Sequence, residues 1–146
     1  MLKDHEWVIG IDLGGTYMRI GAVDADMQMF GFQKVSREDV YSMRRCVESV
    51  YTDEKIKNYV LDIVFKTREP SPYIACGASP RASVNLIKAA RCRAFLQGRD
   101  YAAPDDVKAM AYDVLRHRIL LSYEAEAEDV TSEKIIEEIL ETVNLP

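Results

Sequence analysis

A chain of 146 residues sets one domain as the default and two small ones as the limit. Its 48% hydrophobic and 29% charged residues exclude collagen-like, disulfide-scaffold and wholly disordered classes. The net charge of −5 argues against nonspecific nucleic-acid binding, but residues 77–118 carry 8 basic and 4 acidic side chains and residues 119–146 carry 1 basic and 8 acidic.

The N-terminus, Met1 to Trp7, has no apolar signal core. No apolar run approaches the roughly 20 residues that cross a bilayer, so a cytoplasmic protein without membrane contact is expected. Trp7 to Ile11 is a short apolar strand ending at Asp12, and Leu13-Gly14-Gly15-Thr16 is a turn. Met18 to Val23 is a second strand, Asp24-Ala25-Asp26 a second turn, and Met27 to Val35 a third strand. Residues 1–34 thus predict an antiparallel β-meander. Its open edges make strand pairing between two copies, a homodimer, plausible.

From Ser36 the pattern turns helical. Ser36 with Asp39 makes a capping box for a helix to about Tyr51, with Val40, Met43, Val47 and Val50 on its apolar face. Thr52 caps a second helix with the stripe Ile56, Tyr59, Val60, Ile63 and Val64. Pro70 and Pro72 interrupt the chain. Ser79-Pro80 opens a long helix that Gly98 stops, with Val84, Ile87, Ala90, Ala94 and the Arg91 stem facing inward. Pro104 starts a fourth helix, its first turn carrying Asp105 and Asp106 where the macrodipole favours them. Its inner face is Val107, Met110, Ala111 and Val114, and Arg116-His117-Arg118 closes it. Leu120 to Asp129 is an acidic loop or short strand. Thr131 or Ser132 begins a last helix with Val130 stapled onto Ile135. The expected fold is mainly α, α+β overall: four or five helices over residues 35–146, with the meander at the front. The expected bundle core is Val47, Val60, Val64, Ile87, Phe95, Val107, Leu115 and Ile139.

Cys46, Cys76 and Cys92 form no CxxC pair, and with two histidines no zinc site is expected. Tyr101, Tyr112 and Tyr123 read as core and rim packing rather than base-stacking platforms. Glu124 to Asp129 lacks the spacing and the Gly turn of a Ca²⁺ loop. No catalytic or metal-binding constellation emerges.

Two motifs carry phosphate chemistry. In the first, a strand delivers Asp12, then Gly14 and Gly15 let backbone N–H groups approach an anion, and Thr16 adds a hydroxyl. A plain hairpin turn is the competing reading. In the second, Ser79 and Pro80 fix a helix start and Arg81 lies in its first turn, a pairing suited to a phosphate. A surface cation beside a capped helix is the bland alternative.

Val8 to Asp24, with Arg19-Ile20-Gly21-Ala22-Val23-Asp24, resembles the phosphate hairpin of ROK-type sugar kinases. That resemblance implies phosphate contacts by Asp12, Gly14, Gly15 and Thr16. Nothing after Val35 supplies the rest of a kinase. Residues 35–146 resemble the C-terminal lid of MoxR-family AAA+ ATPases. The matching blocks are Val50-Tyr51-Thr52-Asp53-Glu54-Lys55-Ile56, Arg68-Glu69-Pro70, Gly77-Ala78-Ser79-Pro80-Arg81, Phe95-Leu96-Gln97-Gly98-Arg99 and Asp105-Asp106-Val107. The connector from Glu69 to Gly77 is shorter than the family's, and Ala103 stands where a capping Ser or Thr is expected. This second resemblance implies that Arg81 is the sensor-2 arginine that reaches the γ-phosphate of ATP. It also implies ATP and Mg²⁺ held by a preceding nucleotide-binding core, neighbouring subunits in a hexameric ring, and a chaperone-like role on a client. No GxxxxGK[ST] occurs, so this chain alone is expected neither to bind ATP tightly nor to hydrolyse it. The expectation is a lid fragment or chimera with a kinase-like segment in place of the core. The alternative is a fragment of a sugar kinase using Asp12 to Thr16.

Overall fold

The computed structural model describes residues 8–24 and 28–146. Trp7, Ala25 and Asp26 of the second turn, and Met27 at the expected start of the third strand lie outside the described residues. Strands β1 (Val8–Leu13), β2 (Tyr17–Val23) and β3 (Met29–Ser36) form an antiparallel sheet in that order. Asp12 stands opposite Arg19 and Leu13 opposite Met18. Between β2 and β3 the register shifts at Gly21/Ala22, which leaves Gly31 as the extra residue of a bulge. Alternation along β1 puts Ile9, Ile11 and Leu13 on one face, and these are 66%, 61% and 78% exposed.

Helix α1 (Arg37–Ser49) opens on the predicted box: Asp39 N–H donates to Ser36 Oγ at 3.0 Å, and Ser36 N–H donates to the Asp39 carboxylate at 3.3 Å. It buries no residue. Val47 is only half-buried, so its expected core role is corrected; Val50, past the helix end, is the buried residue. The apolar spacing was helical, but within α1 itself no side chain is fully covered.

The chain divides into two compact units, Met1–Arg45 and Cys46–Pro146. The second holds α2 (Glu54–Lys66), β4 (Ile74–Cys76), α3 (Pro80–Leu96), α4 (Pro104–Leu115), β5 (Leu120–Leu121), α5 (Tyr123–Ala127) and α6 (Ser132–Thr142). Helix α2 is capped by Asp53, whose carboxylate accepts from Lys55 N–H at 2.8 Å, and not by Thr52. Thr52 is instead buried and accepts from Arg91 Nε at 2.8 Å. The α2 stripe is buried as predicted. Helix α3 ends in a Schellman motif: Gly98, at φ +73°, donates to Phe95 O, and Arg99 N–H reaches Ala94 O.

The face of α3 differs from the expectation. Ala82, Ser83, Leu86, Ala90 and Ala94 are buried, Ile87 is half-buried and Val84 is 54% exposed. Small residues let α4, its main partner, come close, so the inward face follows the alanines rather than the bulkiest side chains. On α4, Val107, Ala111 and Leu115 are buried, and Met110 and Val114 pack against the core from its rim. Val60, Val64, Val107, Leu115 and Ile139 are core residues as expected, while Phe95 lies half-buried over a smaller cluster of Val50, Ala94 and Ala102.

The acidic link resolves into β5, paired antiparallel with β4, and the short α5 capped by Ser122. Thr131 caps α6, accepting from Lys134 N–H at 3.3 Å, and Val130 and Ile135 are both buried. Tyr112 packs on the core, but Tyr101 and Tyr123 are 52% and 88% exposed, which corrects their packing role. The three cysteines are free and exposed. Among the described residues no helix is long and apolar enough to cross a membrane, and no cluster of His, Cys, Asp and Glu could hold a metal ion.

Candidate functional site

The loop carrying Arg81 is built on the end of α2. Thr67, the C-cap, is fully buried, and its hydroxyl donates to Val64 O at 2.7 Å. The same oxygen accepts Ala78 N–H at 2.9 Å, and Arg68 Nε donates to Ala78 O at 2.7 Å. Gly77 runs so close that a Cβ there would lie 2.2 Å from Thr67 O, which no side chain tolerates. Ser79 occupies the N-cap of α3 with extended backbone but makes no side-chain capping bond, and Pro80 follows at the first helical position. Ser79 and Arg81 are exposed. Among the described residues the Arg81 guanidinium has no hydrogen-bonding or ionic partner. An uncapped helix N-terminus with an unpaired guanidinium in its first turn favours a multiply charged oxyanion.

The other predicted residues, Asp12, Gly14, Gly15 and Thr16, lie in the first unit and are exposed. Asp12 is paired across the strands with Arg19 at 3.2 Å. Gly14 N–H donates to Tyr17 O at 3.0 Å, closing a hairpin. Arg37 donates from Nη1 to Gly15 O at 3.1 Å and from its backbone N–H to Thr16 O at 3.0 Å. Among the described glycines only Gly31 and Gly98 have positive φ, so Gly14 and Gly15 do not form the alternating backbone of an anion nest. A cleft of about 420 Å³ beside this turn is lined by Gly14, Gly15, Arg37, Tyr41 and Arg44, among others. The structure therefore brings Ser79 and Arg81 together, and brings Asp12, Gly14, Gly15 and Thr16 together, in separate units.

Sequence reasoning missed a buried charge cluster. Asp106, expected as a first-turn dipole partner, is fully buried and accepts from Arg99 at 2.7 and 2.8 Å, from Arg93 at 3.3 Å and from Ala103 N–H at 2.8 Å. Burial pushes the Asp106 carboxyl up, but the Arg99 hydrogen bonds, the Ala103 amide and the two guanidinium charges outweigh it and hold the group below its ordinary value. The Asp106–Ala103 contact supplies half of a capping box; the alanine cannot supply the other half. The sequence signal was the Asp three residues after an extended Ala103; the partners Arg93 and Arg99 needed the helix packing. Arg116, expected as a helix-end charge, pairs with Glu133 at 2.5 Å. The Tyr59 hydroxyl is buried without a partner among the described residues, and burial pushes its pKa up.

Comparison with known proteins bears on the second unit. The family model of the AAA lid domain matches residues 67–139, which include Ser79 and Arg81. The chain is 41% identical over 112 residues to the uncharacterized protein YeaC of Bacillus subtilis, covering 77% of this chain and 35% of that protein. It is 38% identical over 122 residues to the chaperone MoxR1 of Mycobacterium tuberculosis, covering 78% of this chain and 32% of that one. A crystal structure of a "putative ATPase" from Cytophaga hutchinsonii superposes with a TM-score of 0.74 at 43% identity, covering 77% of this chain and 36% of the other. The chain thus spans about a third of the length of the relatives it matches.

Proposed function

We propose that this chain, which belongs to the AAA lid domain family, senses the nucleotide of a MoxR-type AAA+ ATPase through Arg81. The second unit is the lid region of such an ATPase. The observation that carries the sensing role is the unpaired, exposed Arg81 in the first turn of a helix whose N-cap hydroxyl is unused. In this reading ATP and Mg²⁺ are held by a nucleotide-binding core, and Arg81 completes the shell of the terminal phosphate when the lid closes. The contact is charge-assisted, and its loss on hydrolysis biases the lid between two positions. The residues fit the ligand: the Arg81 guanidinium and its own backbone N–H are donors only, as a phosphate requires. In this reading hydrolysis is the work of that core, not of the lid. Neighbouring subunits of a ring and a chaperone client belong to the same proposal.

The phosphotransfer reading of Asp12 to Thr16 has weaker support, because the Asp12 carboxylate is already engaged by Arg19 and the Gly14 N–H by Tyr17 O.

The test is association in trans. The purified chain is titrated with the nucleotide-binding core of a MoxR relative, with ATP or with ADP. Binding at least about tenfold tighter with ATP, a difference of roughly 1.4 kcal/mol, is expected for wild type and is lost in Arg81→Ala. Equal affinity in both nucleotide states would remove the sensing role.

A further inference from the structure

We infer that Thr67 and Arg68 are positioning residues for Arg81, an assignment that rests on the nucleotide-sensing reading above. Two consecutive residues at the end of α2 hold both hydrogen-bonding groups of one peptide residue, Ala78. Thr67 Oγ1 takes its N–H at 2.9 Å and Arg68 Nε holds its carbonyl at 2.7 Å. The Thr67 hydroxyl commits its own proton to Val64 O, so its lone pairs are aimed at Ala78 by α2 itself. Thr67 and Ala78 are fully buried, and Gly77 passes against the Thr67 carbonyl without room for a side chain. Such a bracket leaves Ala78 no alternative partner, since water does not reach it.

Arg81 stands three residues beyond this bracket. Ser79 does not cap the helix, so the first turn of α3 takes its place from α2 rather than from its own cap. Farther along α3, Arg91 Nε donates to Thr52 Oγ1 just before α2 begins. The two helices are therefore bridged at both ends of α2. A displacement at Arg81 moves α2 and α3 together and arrives at Val50–Thr52, where Tyr51 is hydrogen-bonded to Asp100 O and Ala102 N–H. With the bracket open, the same displacement is absorbed by the Gly77–Ser79 loop.

The experiment uses the full chain with Thr67→Val, Thr67→Ser and Arg68→Lys. Amide exchange at Ala78 is read against that at Ala111, a buried α4 residue that reports global opening. In Thr67→Val, Ala78 exchange is expected to rise about tenfold relative to Ala111, and Thr67→Ser restores protection. The ATP-over-ADP gain in core affinity should fall to the Arg81→Ala level in Thr67→Val, while affinity without nucleotide is unchanged. Arg68→Lys, which alters no buried core residue, should show the same pair of effects more weakly and covers the case that Thr67→Val does not fold. A full nucleotide gain in Thr67→Val or in Arg68→Lys, or Ala78 exchange that moves only in step with Ala111, overturns the positioning role and leaves sensing by Arg81 intact. Absence of any nucleotide gain in wild type sinks the sensing reading, and the positioning role with it.

Discussion

The two units solve the problem of covering apolar surface differently. In Cys46–Pro146, side chains from α2, α3, α4 and α6 close over one another, and Tyr59, Ile63, Leu86, Leu115 and Ile136 are at most 2% exposed. In the first unit, β1 presents Ile9, Ile11 and Leu13 to solvent, and α1 buries nothing. The sheet is held by strand pairing and by local contacts such as Ser36–Asp39 and Arg37–Gly15. A three-stranded sheet none of whose described side chains is buried is marginal, whereas the helical unit has a core of its own. The lesson is that amphipathic sequence creates a demand for burial, and only tertiary partners meet it.

The largest effect should come from the charge cluster. Asp106→Ala leaves Arg93 and Arg99 without their shared carboxylate and should cost the helical unit about 3–5 kcal/mol in urea unfolding followed by far-UV circular dichroism. A cost below about 1 kcal/mol would mean that the helical unit does not depend on this cluster. Next, Ile136→Ala should lose about 2–5 kcal/mol, whereas Ile11→Ala should change the unfolding of the first unit by less than about 0.5 kcal/mol. Equal losses at the two sites would erase the distinction between the units.

A pH series sharpens the same contrast. Asp106 has a lowered pKa in the fold, so its contribution is present above the unfolded carboxylate pKa and is lost as pH falls through the lower folded value. Stability of the helical unit should therefore decline on the acid side of the usual carboxylate range, and Asp106→Asn should flatten that decline. An unchanged acid slope in the variant would assign the decline to other groups. The smallest effects are gains. Tyr59→Phe removes a buried hydroxyl that has no partner and should be neutral or stabilising by about 1 kcal/mol. Ala103→Ser completes the half-made capping box of α4 and should raise its stability by about 0.5–1 kcal/mol, read as a shift of the urea midpoint.

What was legible in the sequence was local. The α2 stripe, the Ser36–Asp39 box, the Gly98 stop, the Pro104 start and the Thr131 cap each depend on residues within a few positions, and each stands in the structure. What depended on partners was not legible. The inward face of α3 is set by alanines meeting α4, so Leu86 rather than Ile87 is buried. Strands β4 and β5 and helix α5 are too short for a period to emerge. At the candidate site, Ser79 and Arg81 were readable from helix-start chemistry and from family resemblance. The bracket of Thr67 and Arg68 was not, because it joins residues 10 and 11 positions apart across a loop.

Nucleotide sensing is placed in the helical unit and depends on a separate nucleotide-binding core. Calorimetric titration of the full chain with Mg-ATP, beside Asp12→Ala and Arg81→Ala, tests that division directly. No saturable binding at millimolar ATP is the predicted result for all three proteins. Saturable binding that disappears in Asp12→Ala would contradict the account and move the nucleotide site to the β-hairpin of the first unit.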